Sequence, residues 1–124
     1  MFIDFPHKKR GTSAYYELQF CKSTAPADEL AKGKNISHWQ EDSLYFHMDD
    51  DGCFFKDYGE YFSSPLSPDG SGTLCYFGIN YYTCEKTQEM LCKIVEERPD
   101  EYEILLPWLQ KAVEQYNGFY LLGI

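Results

Sequence analysis

The pattern of apolar positions predicts strands in the first two thirds of the chain. Every second residue is apolar from about 13 to 22, which is typical of a strand with one buried face. Residues 43–48 and 53–58 predict a hairpin, with the acidic segment 49–52 as its turn. A nearly continuous apolar run at 73–82 predicts a central strand that is covered on both faces.

Apolar residues at spacings of three and four predict helices in the last third of the chain. A helix is expected over 84–97, capped by the side chain of Thr83. Its predicted buried stripe consists of Met90, Leu91, Ile94 and Val95. A second helical series runs over 102–116, where Pro107 leaves two alternatives open. Either a short turn precedes a fresh helix at 107–116, or a single helix is kinked at the proline.

Three further segments complete the predicted order of elements. Residues 24–33 predict a short helix, 63–72 an exposed irregular loop, and 119–124 a terminal strand or a docked apolar tail. Hairpin-connected strands followed by clustered helices favour an α+β fold. We therefore expect one domain over residues 1–124, with a mainly antiparallel sheet of four to five strands and two to three helices packed on one face.

The charge of the chain narrows the choice of partner. It carries 20 acidic and 11 basic residues, a formal net charge of −9. Direct binding to nucleic acid needs clustered Lys and Arg, so this balance argues against it and favours a basic protein partner.

The cysteines and the apolar segments indicate where the protein is located. The sequence has five cysteines without a CxxC pair, no leader-like apolar segment and no apolar run of membrane-spanning length. We therefore expect a cytoplasmic protein without membrane contact.

The sequence contains no motif that carries a recognisable chemistry. The acidic segment that begins at Asp49 does not fit a calcium loop, because Phe54 stands where the loop requires glycine. His47 and Asp49 would be neighbours on one strand face, which makes them a minimal acid–base pair without a nucleophile. We therefore expect a protein that is not an enzyme and that uses neither a metal nor another cofactor.

Acidic residues and tyrosines coincide in one stretch, which is the predicted partner-binding surface. Carboxylates pair with Lys and Arg, while tyrosine supplies contact area at low entropic cost. The predicted contact residues are Asp49, Asp50, Asp51, Asp57, Tyr58, Glu60 and Tyr61. A second acidic cluster lies between the two predicted helices, at 96–103, and is interpreted as a solvated corner or as a further part of this surface.

In size, charge and aromatic content the chain resembles the small immunity proteins that neutralise bacterial nuclease toxins. The resemblance implies an inhibitor that covers the positively charged substrate cleft of a toxin, in the cytoplasm of a bacterium. One alternative is a structural or adaptor subunit, or a homo-oligomeric domain that pairs through its apolar C-terminus and exposed aromatics. Another is a small enzyme that uses His47 with a nearby carboxylate. The sequence leaves the oligomeric state open.

Overall fold

A four-stranded antiparallel sheet forms the centre of the structure. The computed structural model describes residues 2–4, 15–34, 36–68 and 70–123. The strands are β1 (Tyr15–Phe20), β2 (Leu44–His47), β3 (Ile79–Tyr82) and β4 (Phe119–Leu122). Their order in the sheet is β2-β1-β4-β3, and each neighbouring pair is antiparallel. The C-terminal segment is therefore a strand, and it lies in the interior of the sheet.

Four α-helices accompany the sheet among the described residues. They are α1 (Ala27–Ala31), α2 (Asp51–Phe62), α3 (Cys84–Glu97) and α4 (Tyr102–Glu114), and a 3₁₀ turn at Met48–Asp50 precedes α2. The α+β fold with an antiparallel sheet is thus confirmed, with more helices than predicted. The cap of α3 is also confirmed, because Thr83 Oγ1 accepts a hydrogen bond of 3.1 Å from the Lys86 N–H. Pro107 lies inside the single helix α4.

The main core lies between one face of the sheet and helices α2, α3 and α4. Large aromatic side chains dominate it: Phe46 of β2 stacks on Phe54 of α2 with centroids 4.2 Å apart, and Phe20 of β1 stacks on Trp108 of α4 at 4.2 Å. Each fully buried side chain of this size contributes about 2 to 3 kcal/mol through the apolar area it removes from water. The sheet and the three helices therefore form one cooperative unit.

The opposite face of the sheet has its own smaller core and a buried carboxylate. Helix α1 packs there against Tyr81 and Tyr120. The Glu17 side chain is 3% exposed, and it accepts hydrogen bonds from the backbone N–H groups of Trp39 (2.8 Å) and Gln40 (3.1 Å). These bonds fasten the segment between α1 and β2 to the sheet, so helices and loops cover both faces.

Three further side chains complete the hydrogen bonding of Glu17. The Ser43 hydroxyl donates to its Oε2 at 2.6 Å, the Gln19 side-chain amide at 3.0 Å and the Tyr45 hydroxyl at 3.4 Å. Among the described residues, no Lys or Arg forms an ion pair with Glu17. The buried carboxylate is therefore stabilised by hydrogen-bond donors alone.

The predicted hairpin strand at 53–58 is wrong, because this segment belongs to helix α2. Phe54, Tyr58, Tyr61 and Phe62 are buried, and their spacing of four and three places them on one helical face. The acidic residues 49–51 therefore begin a helix and do not form a hairpin turn. Acidic side chains at that end interact favourably with the helix dipole.

The predicted central strand at 73–82 is also wrong in extent and position. Only Ile79–Tyr82 pairs with the sheet, and β3 is its edge strand. Residues 75–78 form a turn that is held by the fully buried Asn80, whose Oδ1 accepts from the Cys75 N–H at 2.7 Å and whose Nδ2 donates to the Cys75 carbonyl at 2.8 Å. An amide that satisfies the backbone of a turn replaces strand pairing there. As a result, Phe77 is exposed to solvent, where the strand prediction had placed it in the core.

Three smaller predictions also needed correction. The short helix predicted at 24–33 is limited to Ala27–Ala31. It packs on the sheet face opposite the other helices, so the helices are not all on one face. Val95 is 51% exposed, because the buried stripe of α3 runs through Thr87, Met90, Leu91 and Ile94.

Replacing Glu17 by glutamine should destabilise the protein. The new amide would place an NH₂ group among hydrogen-bond donors and remove the charge that they stabilise, so we expect the free energy of unfolding to fall by about 2 to 3 kcal/mol. The matched control is Glu41→Gln, an exposed position in the same loop, which should change it by less than about 0.5 kcal/mol. Urea unfolding followed by circular dichroism measures both. Equal effects would contradict the role assigned to Glu17.

Candidate functional site

The seven residues predicted as one binding surface occupy three different environments around α2. Tyr58 and Tyr61 are buried, with 0% and 8% exposure, so the expectation that their rings are available to a partner is wrong. At 3.6 residues per turn, Asp57 and Glu60 lie on one flank of the buried stripe. Residues 49–51 lie at the N-terminal end of the helix. The predicted acids therefore do not form a single patch.

The two buried tyrosines instead join α2 to the corner between α3 and α4. The Tyr58 hydroxyl donates to the backbone carbonyl of Asp100, and the Tyr61 hydroxyl donates to Oε1 of Glu97. Burial, followed by the hydrogen bond to Glu97, raises the pKa of Tyr61 to about 12. Both hydroxyls therefore stay protonated and remain donors at neutral pH.

These contacts bring two separate acidic stretches of the chain together. We call the group formed by Asp57, Glu60, Glu97, Asp100 and Glu101 the acidic corner. The pKa values of the two tyrosines reflect these neighbours. Burial raises the pKa of Tyr58 most, and the charges of Glu101, Asp57 and Asp100 raise it further, while Glu97 and Glu60 act on the pKa of Tyr61. The sequence left open whether the cluster at 96–103 is a solvated corner or part of the predicted surface, because Glu97 is 36 residues from Tyr61 along the chain.

Four carboxylates of the acidic corner, those of Asp57, Glu60, Glu97 and Asp100, form no ion pair with a described residue. Glu60, Glu97 and Asp100 are exposed, and Asp57 is partly exposed. None of these four forms an ion pair within the described ranges, although Lys56 and Arg98 belong to the same two segments. The corner therefore presents a concentrated negative potential to solvent.

The acids at 49–51 form the second negative group. The Asp49 side chain is 86% exposed, whereas Oδ2 of Asp51 accepts a weak hydrogen bond of 3.4 Å from the Tyr16 hydroxyl. Burial raises the pKa of Tyr16 most, and the nearby charge of Asp51 raises it further. Asp51 lies on the side of α2 that carries Phe55, whose ring packs edge-on against Tyr16, away from the acidic corner.

His47 has a structural role that competes with the predicted acid–base pairing. Its Nδ1 accepts a hydrogen bond of 3.0 Å from the Asp49 backbone N–H and so caps the 3₁₀ turn. The same nitrogen lies 3.4 Å from Asp49 Oδ2, but an atom that accepts from the backbone cannot also donate to the carboxylate. The geometry therefore lacks the hydrogen bond by which Asp49 would orient His47 as a base.

A cleft of about 460 Å³ lies on the sheet face that carries α1. Gln19, Cys21 and Tyr120 are among the residues that line it, and His47 is not. Burial raises the pKa of the Cys21 thiol, which disfavours the thiolate that a nucleophile requires. The cleft therefore does not bring a histidine and an activated nucleophile together.

The position of strand β4 argues against one part of the adaptor alternative, the pairing of two chains through their apolar C-termini. The apolar C-terminal segment was expected to be available for a symmetric interface, but Phe119–Leu122 is buried along its whole length between β1 and β3. Pairing on both edges leaves no free strand edge there.

The described residues contain neither a candidate metal site nor a membrane-spanning helix. Within the described ranges, no group of three or more His, Cys, Asp or Glu side chains could hold a metal ion. None of the helices that the structure describes has the length and apolar character needed to cross a membrane. Comparison with protein-family models, with curated proteins and with solved structures finds no match to this chain.

Removing the Tyr58 hydroxyl should lower stability, because it deprives the Asp100 carbonyl of a donor. We expect Tyr58→Phe to reduce the free energy of unfolding by about 1 kcal/mol. The matched control is Tyr76→Phe, since the Tyr76 ring is 47% exposed and its hydroxyl has no hydrogen bond to a described residue. That variant should remain within about 0.5 kcal/mol of the original. Chemical denaturation compares the two, and an unchanged Tyr58→Phe protein would contradict the link between α2 and the corner.

Proposed function

We propose that this chain is a protein-binding inhibitor that covers a basic partner with the acidic surface around α2. The observation that carries the proposal is the acidic corner, where Asp57, Glu60, Glu97 and Asp100 converge from two stretches without an ion pair among the described residues. Like charges at close range repel one another, and Lys or Arg side chains of a partner would relieve that repulsion.

Electrostatic attraction also gives such a protein a kinetic advantage. A net charge of −9 attracts a basic protein over distances of about the Debye length, roughly 8 Å at physiological ionic strength, and raises its association rate. Inhibitors that must act before their target does damage benefit from fast association. The proposed function therefore predicts a strong dependence of the association rate on salt.

The kind of partner follows from charge complementarity. A nuclease needs a positively charged cleft to hold phosphates, and an acidic protein can occupy that cleft in place of the nucleic acid. We propose a toxin-immunity role on this ground, in the bacterial cytoplasm where such a toxin would act. The general resemblance in size, charge and aromatic content supports the same role.

Neutralising the acidic corner should slow association with the partner. The partner is captured from a lysate of the host organism and identified, and its binding to the triple variant Asp57→Asn, Glu60→Gln, Glu97→Gln is followed by interferometry at several salt concentrations. We expect a basic partner and an association rate at low salt that is at least about tenfold lower for the variant, because steering depends on local charge.

A control with the same change in net charge separates local from global effects. Glu41, Glu89 and Glu114 are exposed and lie outside the acidic corner, so their replacement by glutamine should slow association by less than about twofold. Equal slowing by the two triple variants, or an association rate that is insensitive to salt, would contradict the proposed function.

A further inference from the structure

Two exposed aromatic residues lie in a turn that packs against α2. Phe77 is 76% exposed, and its neighbour Tyr76 is 47% exposed. The Tyr76 ring packs edge-on against Phe55 of α2, with centroids 4.8 Å apart and planes at 90°. A phenylalanine ring left in water forgoes a large part of the apolar burial that stabilises folded proteins. Exposure of this kind is typical of contact surfaces.

The turn that presents Phe77 is rigidly held. Besides its two bonds to Cys75, the Asn80 side chain donates to the Leu121 carbonyl of β4 at 3.1 Å. The Gly123 N–H donates to the Gly78 carbonyl at 2.8 Å, on the other side of Phe77. A Cβ at Gly123 would lie 2.1 Å from the Tyr76 carbonyl oxygen, so the two backbones are in close contact. The backbone that carries Phe77 is therefore held in place, which lowers the entropic cost of ordering this turn in binding.

A chain of contacts joins this turn to the acids of α2. The Phe55 ring packs edge-on against Tyr16 at 5.8 Å, and the Tyr16 hydroxyl donates to Asp51. The aromatic turn is thus connected through Phe55 and Tyr16 to Asp51 at the N-terminal end of α2, where the exposed Asp49 also lies. We call the surface formed by Phe55, Tyr76 and Phe77 together with the acids at 49–51 the Phe77 patch. It combines acid and exposed aromatic side chains, as the sequence had predicted for Tyr58 and Tyr61.

We propose that the Phe77 patch is the anchor of the partner interface, and that the partner offers an apolar pocket for Phe77 with Lys or Arg side chains at its rim. The proposal rests on the proposed function in taking a basic protein as the partner. Aromatic residues are enriched at the hot spots of interfaces, and charges around them set the choice of partner. A second copy of this chain fits poorly as the occupant, because its own patch would bring further carboxylates against these.

A library of displayed random peptides provides the probe. The full chain is panned against the library, and the enriched peptides are tested on wild type and on Phe77→Ser. We expect peptides that combine Lys or Arg with apolar residues, and a loss of affinity of at least about tenfold in the variant. The matched control is Ile104→Ser on α4, where the side chain is 46% exposed, and it should change affinity by less than about twofold. Thermal unfolding verifies that both variants remain folded.

The outcomes separate this inference from the proposed function. Enriched peptides that bind wild type and Phe77→Ser equally, that lack basic residues, or that do not emerge at all overturn the Phe77 patch as the anchor. Self-association of the wild type that Phe77→Ser abolishes would also overturn it, because the occupant would then be a second copy. The charge variants of the acidic corner test the proposed function independently, since Phe77 is unchanged in them.

Discussion

The packing of one aromatic stripe of α2 against the sheet determines where the acidic side chains of that helix lie. Phe54 stacks on Phe46 of β2, and Phe62 meets Phe119 of β4 edge-on at 5.8 Å. Because these rings must face the core, the helix cannot rotate without losing several kcal/mol of apolar burial. The orientation of α2 about its own axis therefore determines which of its acidic side chains are exposed to solvent on each side of the buried stripe. This packing places Asp57 and Glu60 in the acidic corner and Asp51 and Phe55 in the Phe77 patch. The corner between α3 and α4 and the turn held by Asn80 supply the remaining residues.

The two surfaces suit different stages of the proposed interaction. The acidic corner carries charge without an exposed aromatic anchor, which fits it for long-range attraction. The Phe77 patch presents an exposed aromatic side chain on a turn with a fixed backbone, on a surface that also carries carboxylates, which fits it for short-range recognition. Buried tyrosine hydroxyls support the first surface, and the buried Asn80 amide supports the second. In both surfaces, hydrogen bonds made by buried side chains hold the exposed residues in position.

The sequence predicted elements whose signals are local. Helix α3 follows from the Thr83 cap and from apolar spacing within one segment, and the α+β class follows from the order of the elements. Helix α2 was mistaken for a strand because its phenylalanines and tyrosines favour strands by propensity, although tertiary packing favours the helix. The joining of Glu97 to Tyr61 could not be predicted, since it depends on how distant helices pack. Phe77 was assigned to the core because the apolar run at 73–82 predicts a strand. The run does not reveal that the Asn80 side chain hydrogen-bonds to Cys75 and stabilises a turn there.

Both surfaces depend on α2 being a helix whose aromatic stripe faces the sheet, with Phe55 directed toward Tyr76. Nuclear magnetic resonance in solution can examine this packing through Cα secondary shifts over residues 51–62 and through nuclear Overhauser effects between aromatic rings. We expect positive, helical Cα shifts across Asp51–Phe62, with Overhauser contacts from Phe54 to Phe46 and from Phe55 to Tyr76. Negative, strand-like shifts over residues 53–58, with no contact between Phe55 and Tyr76, would contradict this packing.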